Sequence, residues 1–343
     1  MVTRSRFPAR TRRGLPCGAI TAGERGTDTI ARRRRRAATA SGIDLLYPRG
    51  FWALLAMPGV LWIVAFFVVA FYAIVATATS TRLSLLETIV PEWNPLYWQP
   101  DSFSFVVEQA VSPSGVLRAV FSRTLGYVLT TVAACFLLGY PVAYYMSRLS
   151  GRVRTTFLVL MVLPFWVSYL MRILAWVNLL QNDGLVNRVL SATNVLAPQA
   201  WLEGRSSTVV LGLIYGYLPF FILPLYATLE RMDKSLIQAS LDLGASPART
   251  FVRVTLPLSK QGILAGITII MLPMFGDFYT AEMLGTANNS MIGSVVNFYL
   301  TRSTGGASQG RGAALVIVLA AVVSILTLYY LVNTSRAARE ARR

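Results

Sequence analysis

Asp277 and Glu282 stand close together with Phe278 and Tyr279 between them, toward one end of an apolar run that holds no other carboxylate. Carboxylates supply negative charge and aromatic faces supply cation-π contact, so this cluster has the chemistry to hold a positively charged solute. Neighbouring helical residues diverge by about 100°, so the cluster shares one cavity only if the helix unwinds. Pro273 and Gly276 favour such a break. A second group, Trp166, Tyr169 and Trp176, reads either as the lining of the same route or as an interfacial aromatic belt. Arg172 lies within that second run and is expected to snorkel or to pair with a carboxylate, Asp277 and Glu282 included.

Other chemistries drop out. The chain has no histidine, which removes zinc-protease motifs, a Ser-His-Asp triad and imidazole proton transfer. Its lysines are Lys234 and Lys260, neither preceded by glycine, so no Walker A phosphate loop can be written. Cys17 lies in a basic polar tail and Cys135 in an apolar run, which argues against a disulfide between them. No metal site and no catalytic site are expected.

The elements that must position these residues follow from composition. Of 343 residues 55% are hydrophobic and 14% charged, with a mean hydropathy of +0.54, which points to a bilayer as solvent. Six runs approach the roughly 20 apolar residues a crossing needs: Phe51–Ala76, Thr124–Met146, Thr156–Leu180, Val209–Leu229, Gly262–Met283 and Ala313–Val332. They are continuously apolar, unlike the alternating strands of outer-membrane barrels. The fold class is an all-α integral membrane protein with six transmembrane helices. With both ends placed in the cytoplasm, 24 of the 32 basic residues fall inside and seven outside, as the positive-inside rule requires.

Residues 1–48, with Arg32 to Arg36 in a row, carry few large apolar side chains and read as a disordered basic cytoplasmic tail near anionic lipid. Residues 49–335 form the membrane domain, with a cytoplasmic loop at 230–260, and 336–343 a basic C-terminus. The loop punctuates itself. Asp233 is an N-cap, Leu236, Ala239 and Leu243 recur at helical spacing, and Gly244 suits a left-handed C-terminal position. Ser246 caps a second helix with Pro247 at its first position. The spacing predicts a helix-turn-helix elbow. By periodicity alone such a helix could lie on lipid, pack on its own domain or enter a partner's groove.

Gln238-Ala239-Ser240, then Gly244, then Val254 and Leu256-Pro257 resembles the cytoplasmic signature of permease subunits of binding-protein-dependent ABC importers. That signature is Glu-Ala-Ala, three residues, Gly, nine residues, Ile, one residue, Leu-Pro. Every spacing is kept. Gln238 replaces the acidic residue, so a hydrogen bond takes the place of a salt bridge there. The resemblance implies a type I importer permease whose loop docks on a separate ATPase, with Gln238, Ala239, Ser240, Asp242, Gly244, Ala245, Leu256 and Pro257 as coupling residues.

From the first span to the last, the chain also resembles the spermidine/putrescine permease branch. Arg172-Ile-Leu-Ala-Trp176, Tyr217-Leu-Pro219-Phe, Gly276-Asp-Phe-Tyr and Glu282-Met-Leu-Gly285 carry that likeness. It implies uptake of polyamines, with a second homologous permease, two ATPase subunits that bind ATP and Mg, and an external solute-binding protein as partners. No cofactor is expected in this chain, and no nucleic acid. The substrate-path candidates are Asp277, Tyr279, Glu282, Trp166, Tyr169 and Trp176. A different solute in the same importer class, such as a metal cation, a thiamine-like compound or a sulfonate, stays open, as does an ion-coupled secondary transporter. Prolines 58, 141, 164, 219, 224 and 273 read as hinges or as packing kinks. The loop Ser80–Ser122, with Trp93 and Trp98 among prolines and acids, reads as a docking surface for the solute-binding protein or as packing over the bundle.

Overall fold

A backbone inside lipid must satisfy its own hydrogen bonds, and continuously apolar runs do so as helices. The structure, a computed structural model, describes residues 49–80, 91–193, 197–302 and 306–340, and its regular elements there are all helical. The tail of residues 1–48, Cys17 included, lies outside the described residues.

Helices are numbered in chain order: α1 (Arg49–Ala78), α2 (Asp101–Val111), α3 (Val116–Arg148), α4 (Gly151–Val162), α5 (Tyr169–Leu180), α6 (Leu185–Thr193) and α7 (Ser206–Glu230). The elbow supplies α8 (Lys234–Asp242), α9 (Pro247–Thr250) and α10 (Leu256–Leu258), with a π-helical turn at Phe251–Thr255. Then come α11 (Lys260–Gly276), α12 (Tyr279–Leu284), α13 (Ile292–Asn297) and α14 (Gly306–Glu340).

The chain divides into two compact units, Met1–Val69 and Ala70–Arg343. In the first, the described part of α1 is apolar on every side, and Leu54, Trp62 and Val69 are exposed, as suits a helix bathed in lipid.

In the second unit α7 runs at the centre against α3 and α11. Phe221 of α7 is fully buried, and a Cβ added at Gly139 of α3 or at Gly266 of α11 would come within 2.8 Å of its ring. Gly262 and Gly266 on α11 and Gly212 and Gly216 on α7 repeat the four-residue small-residue spacing that lets membrane helices approach closely. Gly212 admits Leu284 and Thr280 of α12, and Gly216 admits the Tyr169 ring. Cys135 is a free, buried thiol on α3.

Helices at Leu54–Ala78, Val116–Arg148, Ser206–Glu230 and Ser308–Ile325 are each long and apolar enough to cross a membrane. Two further crossings are available as bent pairs, Gly151–Trp166 with Tyr169–Thr193 at 90° and Pro247–Leu258 with Lys260–Gly276 at 60°. The run Thr156–Leu180 is therefore not the single helix expected. Pro164 opens a 3₁₀ turn, Leu163–Trp166, and Val167 and Ser168 are extended before α5 begins. The run Gly262–Met283 stops at Gly276, the break that Pro273 and Gly276 favour, with Asp277 extended and α12 starting at Tyr279. Pro58, Pro141, Pro219 and Pro224 lie inside continuous helices. An ion pair joins Arg154 of α4 to Glu230 of α7.

Between α1 and α3, Trp93 is half open to solvent, its carbonyl accepts from Tyr72 Oη, and Trp98 Nε1 donates to the Glu92 carbonyl at 3.0 Å. Both indoles lie about 6 Å from the Tyr72 ring, so this part of the loop packs on the end of α1.

Candidate functional sites

The elbow is built by short-range bonds. Asp233 Oδ1 accepts from the Ser235 N–H at 2.9 Å, capping α8, and that bond holds its carboxyl below the usual carboxylate range. Gly244 ends the helix at φ +81° in open space, and its N–H donates to the Leu241 carbonyl at 2.9 Å. Ser246 Oγ accepts from the Arg249 N–H, with Pro247 at the start of α9.

No residue of α8 is buried. Gln238, Ala239, Asp242 and Gly244 are exposed, Ala245 and Leu256 are half-buried, and Pro257 is exposed. Leu236 and Leu241 are open, and Leu243 is 88% exposed, so a small apolar surface stands clear of the bundle.

What ties this helix to the membrane domain was missed from the sequence. Ser240 Oγ meets the hydroxyl of buried Thr250 at 3.0 Å. The Phe251 ring stands edge-on to Tyr140 at 5.4 Å and Tyr144 at 5.7 Å, both on α3. Tyr140 Oη meets Ser259 Oγ at 2.9 Å, and Arg148 Nη2 donates to Tyr144 Oη at 2.7 Å. The available signal was the spacing of Tyr140 and Tyr144, four residues apart on one helix face.

At the other end of α11 the two carboxylates part company. Asp277 is buried. Its Oδ2 accepts from Tyr169 Oη at 2.8 Å, Thr280 Oγ1 at 2.8 Å and Tyr217 Oη at 3.3 Å, and its Oδ1 accepts from the Thr280 N–H at 3.1 Å. Four donors come close to saturating a carboxylate. The side chain thus caps α12 and ties α5 and α7 to it, with Tyr169 also meeting Thr280 Oγ1. Tyr217 and Thr280 had not been singled out as site residues.

Glu282 takes Asn297 Nδ2 at 3.0 Å on Oε1 and Arg302 Nη2 at 3.1 Å on Oε2. Tyr279 is exposed and stacks on Phe278 at 4.0 Å. Of the aromatic candidates on the third run, only Tyr169 reaches a carboxylate. Trp176 packs edge-on to Tyr215 at 5.3 Å, and Trp166 is 86% exposed.

Of the two readings for Arg172, snorkelling or pairing with a carboxylate, the structure does not show the second: Arg172 makes no ion pair among the described residues. Its guanidinium lies over the Phe165 ring at 4.2 Å and near the Tyr169 ring at 5.4 Å, because the 90° bend carries Phe165 back beside α5.

An exposed, capped elbow and a buried carboxylate centre thus flank the two ends of α11, and known proteins resemble this chain in fold and in sequence. The bacterial alginate ABC transporter, solved in complex with an alginate-bound periplasmic protein, shares the fold with a TM-score of 0.64 at 17% identity, over 81% of this chain and 92% of that one. The spermidine/putrescine transport system permease protein PotB of Escherichia coli (strain K12) is 36% identical over 211 residues, 62% of this chain and 76% of the relative. PotB of Haemophilus influenzae is 34% identical over 247 residues, 71% and 78% of the two chains. The inner membrane ABC transporter permease protein YdcU of Escherichia coli (strain K12) is 36% identical over 214 residues, 55% and 68%. With residues 135–341 matching its profile, the chain belongs to the family described as the binding-protein-dependent transport system inner membrane component.

Proposed function

We propose that this protein is the permease subunit of an ATP-driven importer that takes up polyamines delivered by an external solute-binding protein. The observation that carries the reading is α8, a capped helix with open apolar side chains and no buried residue, set in the Gln238 to Pro257 spacing. The spermidine and putrescine named for its relatives supply the solute class. In this reading the chain crosses the inner membrane six times with both termini in the cytoplasm, each bent pair counting as one crossing. It carries no catalytic site. ATP and Mg are held by two partner ATPase subunits, and a second, homologous permease completes the path.

Movement of an ATPase groove against α8 reaches the membrane domain by two routes. Ser240 passes it to Thr250, and Phe251, wedged against Tyr140 and Tyr144, passes it to α3. Ser259, bonded to Tyr140, sits where the elbow becomes α11, so α3 and α11 shift together. Packed helices transmit such a shift because their interfaces are close to bistable. At the far end of α11 the break at Asp277 lets α12 follow α5 and α7 rather than α11.

The test is reconstitution with its ATPase and solute-binding protein, measuring ATP hydrolysis and uptake with putrescine, spermidine and non-cationic solutes. Stimulation by both amines is expected. Stimulation by a non-cationic solute alone overturns the polyamine reading.

A further inference from the structure

Beside α12 and α13 lies a cleft of about 460 Å³, lined by Glu282, Thr286, Ser290, Ser294, Tyr299 and Arg302 among others. Three features set it apart from the Asp277 centre. First, Glu282 keeps its carboxylate in the cleft with a side chain 17% exposed, while the Arg302 side chain that neutralises it is 64% exposed. A pair open to water on the cationic side is weak and readily exchanged. Second, Ser294 is 94% buried, lines the cleft, and its Oγ has no hydrogen-bond partner among the described residues. A buried hydroxyl left unpaired is costly and marks a place where a ligand or water group belongs. Third, Tyr299 brings a half-buried aromatic face to the same cleft. Asp277 offers none of this, because its oxygens are taken by Tyr169, Tyr217 and Thr280.

We propose that this cleft is an ammonium-binding station on the transport path. A primary ammonium group of the solute replaces Arg302 at Glu282 Oε2 and donates a further hydrogen bond to Ser294 Oγ, with the Tyr299 ring beside it. Arg302 acts as an internal competitor that occupies the carboxylate between solutes and returns to it as the amine leaves. Asp277 holds the wall in place and does not contact the amine. The proposal rests on the polyamine reading above.

The experiment uses the full assembly, with its ATPase and solute-binding protein, in proteoliposomes, and follows labelled putrescine and spermidine uptake. Glu282→Gln keeps the shape of the side chain but loses its charge, and kcat/KM for both amines falls by about tenfold or more. Arg302→Ala removes the competitor, and KM for uptake falls by about threefold. Opposite signs are the signature of exchange at the carboxylate. If both variants lower uptake alike, the pair is a brace and the proposal fails. Should Glu282→Gln not assemble, Arg302→Ala decides alone, because an unchanged or raised KM overturns the exchange. If the wild-type assembly moves neither amine, the polyamine reading itself fails. If it moves both and Glu282→Gln matches it, only the cleft assignment is lost.

Discussion

The elbow and the Asp277 centre flank the two ends of α11, a helix of 17 residues and ~25 Å, and they are held in opposite ways. The elbow's defining bonds join residues two, three and ten apart, and its helix stands outside the bundle. The bonds to the Asp277 side chain from Tyr217 and Tyr169 cross 60 and 108 residues, and the carboxylate is buried. The elbow is locally built and its apolar surface stays open, as the coupling role proposed above requires. A buried carboxylate in a membrane is tolerated only where several helices converge to satisfy it.

The largest effect is expected at the lever. Gly244→Pro forbids the positive φ and removes the N–H that donates to Leu241, so uptake should be abolished while membrane insertion persists. Normal uptake by that variant would count against the elbow as the coupling element. Phe221→Ala strikes the packing on which both ends depend. Emptying the space between Gly139 and Gly266 should cost about 3 kcal/mol or more, read as a lowered unfolding temperature in detergent.

Asp277→Asn sharpens the contrast with Glu282. Its amide nitrogen cannot accept from the tyrosine and threonine hydroxyls, so stability should fall by about 1–3 kcal/mol, with the KM for amine uptake nearly unchanged. A large KM increase without loss of stability would make Asp277 a solute ligand instead. Ser240→Ala removes one bond across the elbow and should cost about 1 kcal/mol. The measurable consequence is fewer solutes moved per ATP.

The smallest effect is a pH dependence confined to the elbow. The folded carboxyl of Asp233 lies below its unfolded value, so its capping contribution is present above about pH 4 and is lost as pH falls through the depressed value. Protection of the Ser235 amide against hydrogen exchange should drop over that window and become insensitive to pH in Asp233→Asn.

The sequence was informative where structure is local. Asp233, Gly244, Ser246 and Pro247 occupy the cap and turn positions their types favour, because each chooses its conformation from its immediate neighbours. It was less informative at the breaks. Pro164 looked like the other prolines, yet it opens a 90° bend, whereas Pro273 with Gly276 did mark the break that falls before Asp277. The ring that Arg172 meets was not legible, since only the bend brings Phe165 beneath it.

The amino-acid order alone determined that this is a helical membrane protein with a capped elbow between two apolar runs, since the length of an apolar run and the chemistry of a cap need no distant residue. Tertiary structure alone decided that Asp277 is enclosed by hydroxyls and that Glu282 faces a cleft. Those partners come from helices brought together through Gly212, Gly216, Gly262 and Gly266, and how closely the helices approach there is a property of the packed bundle.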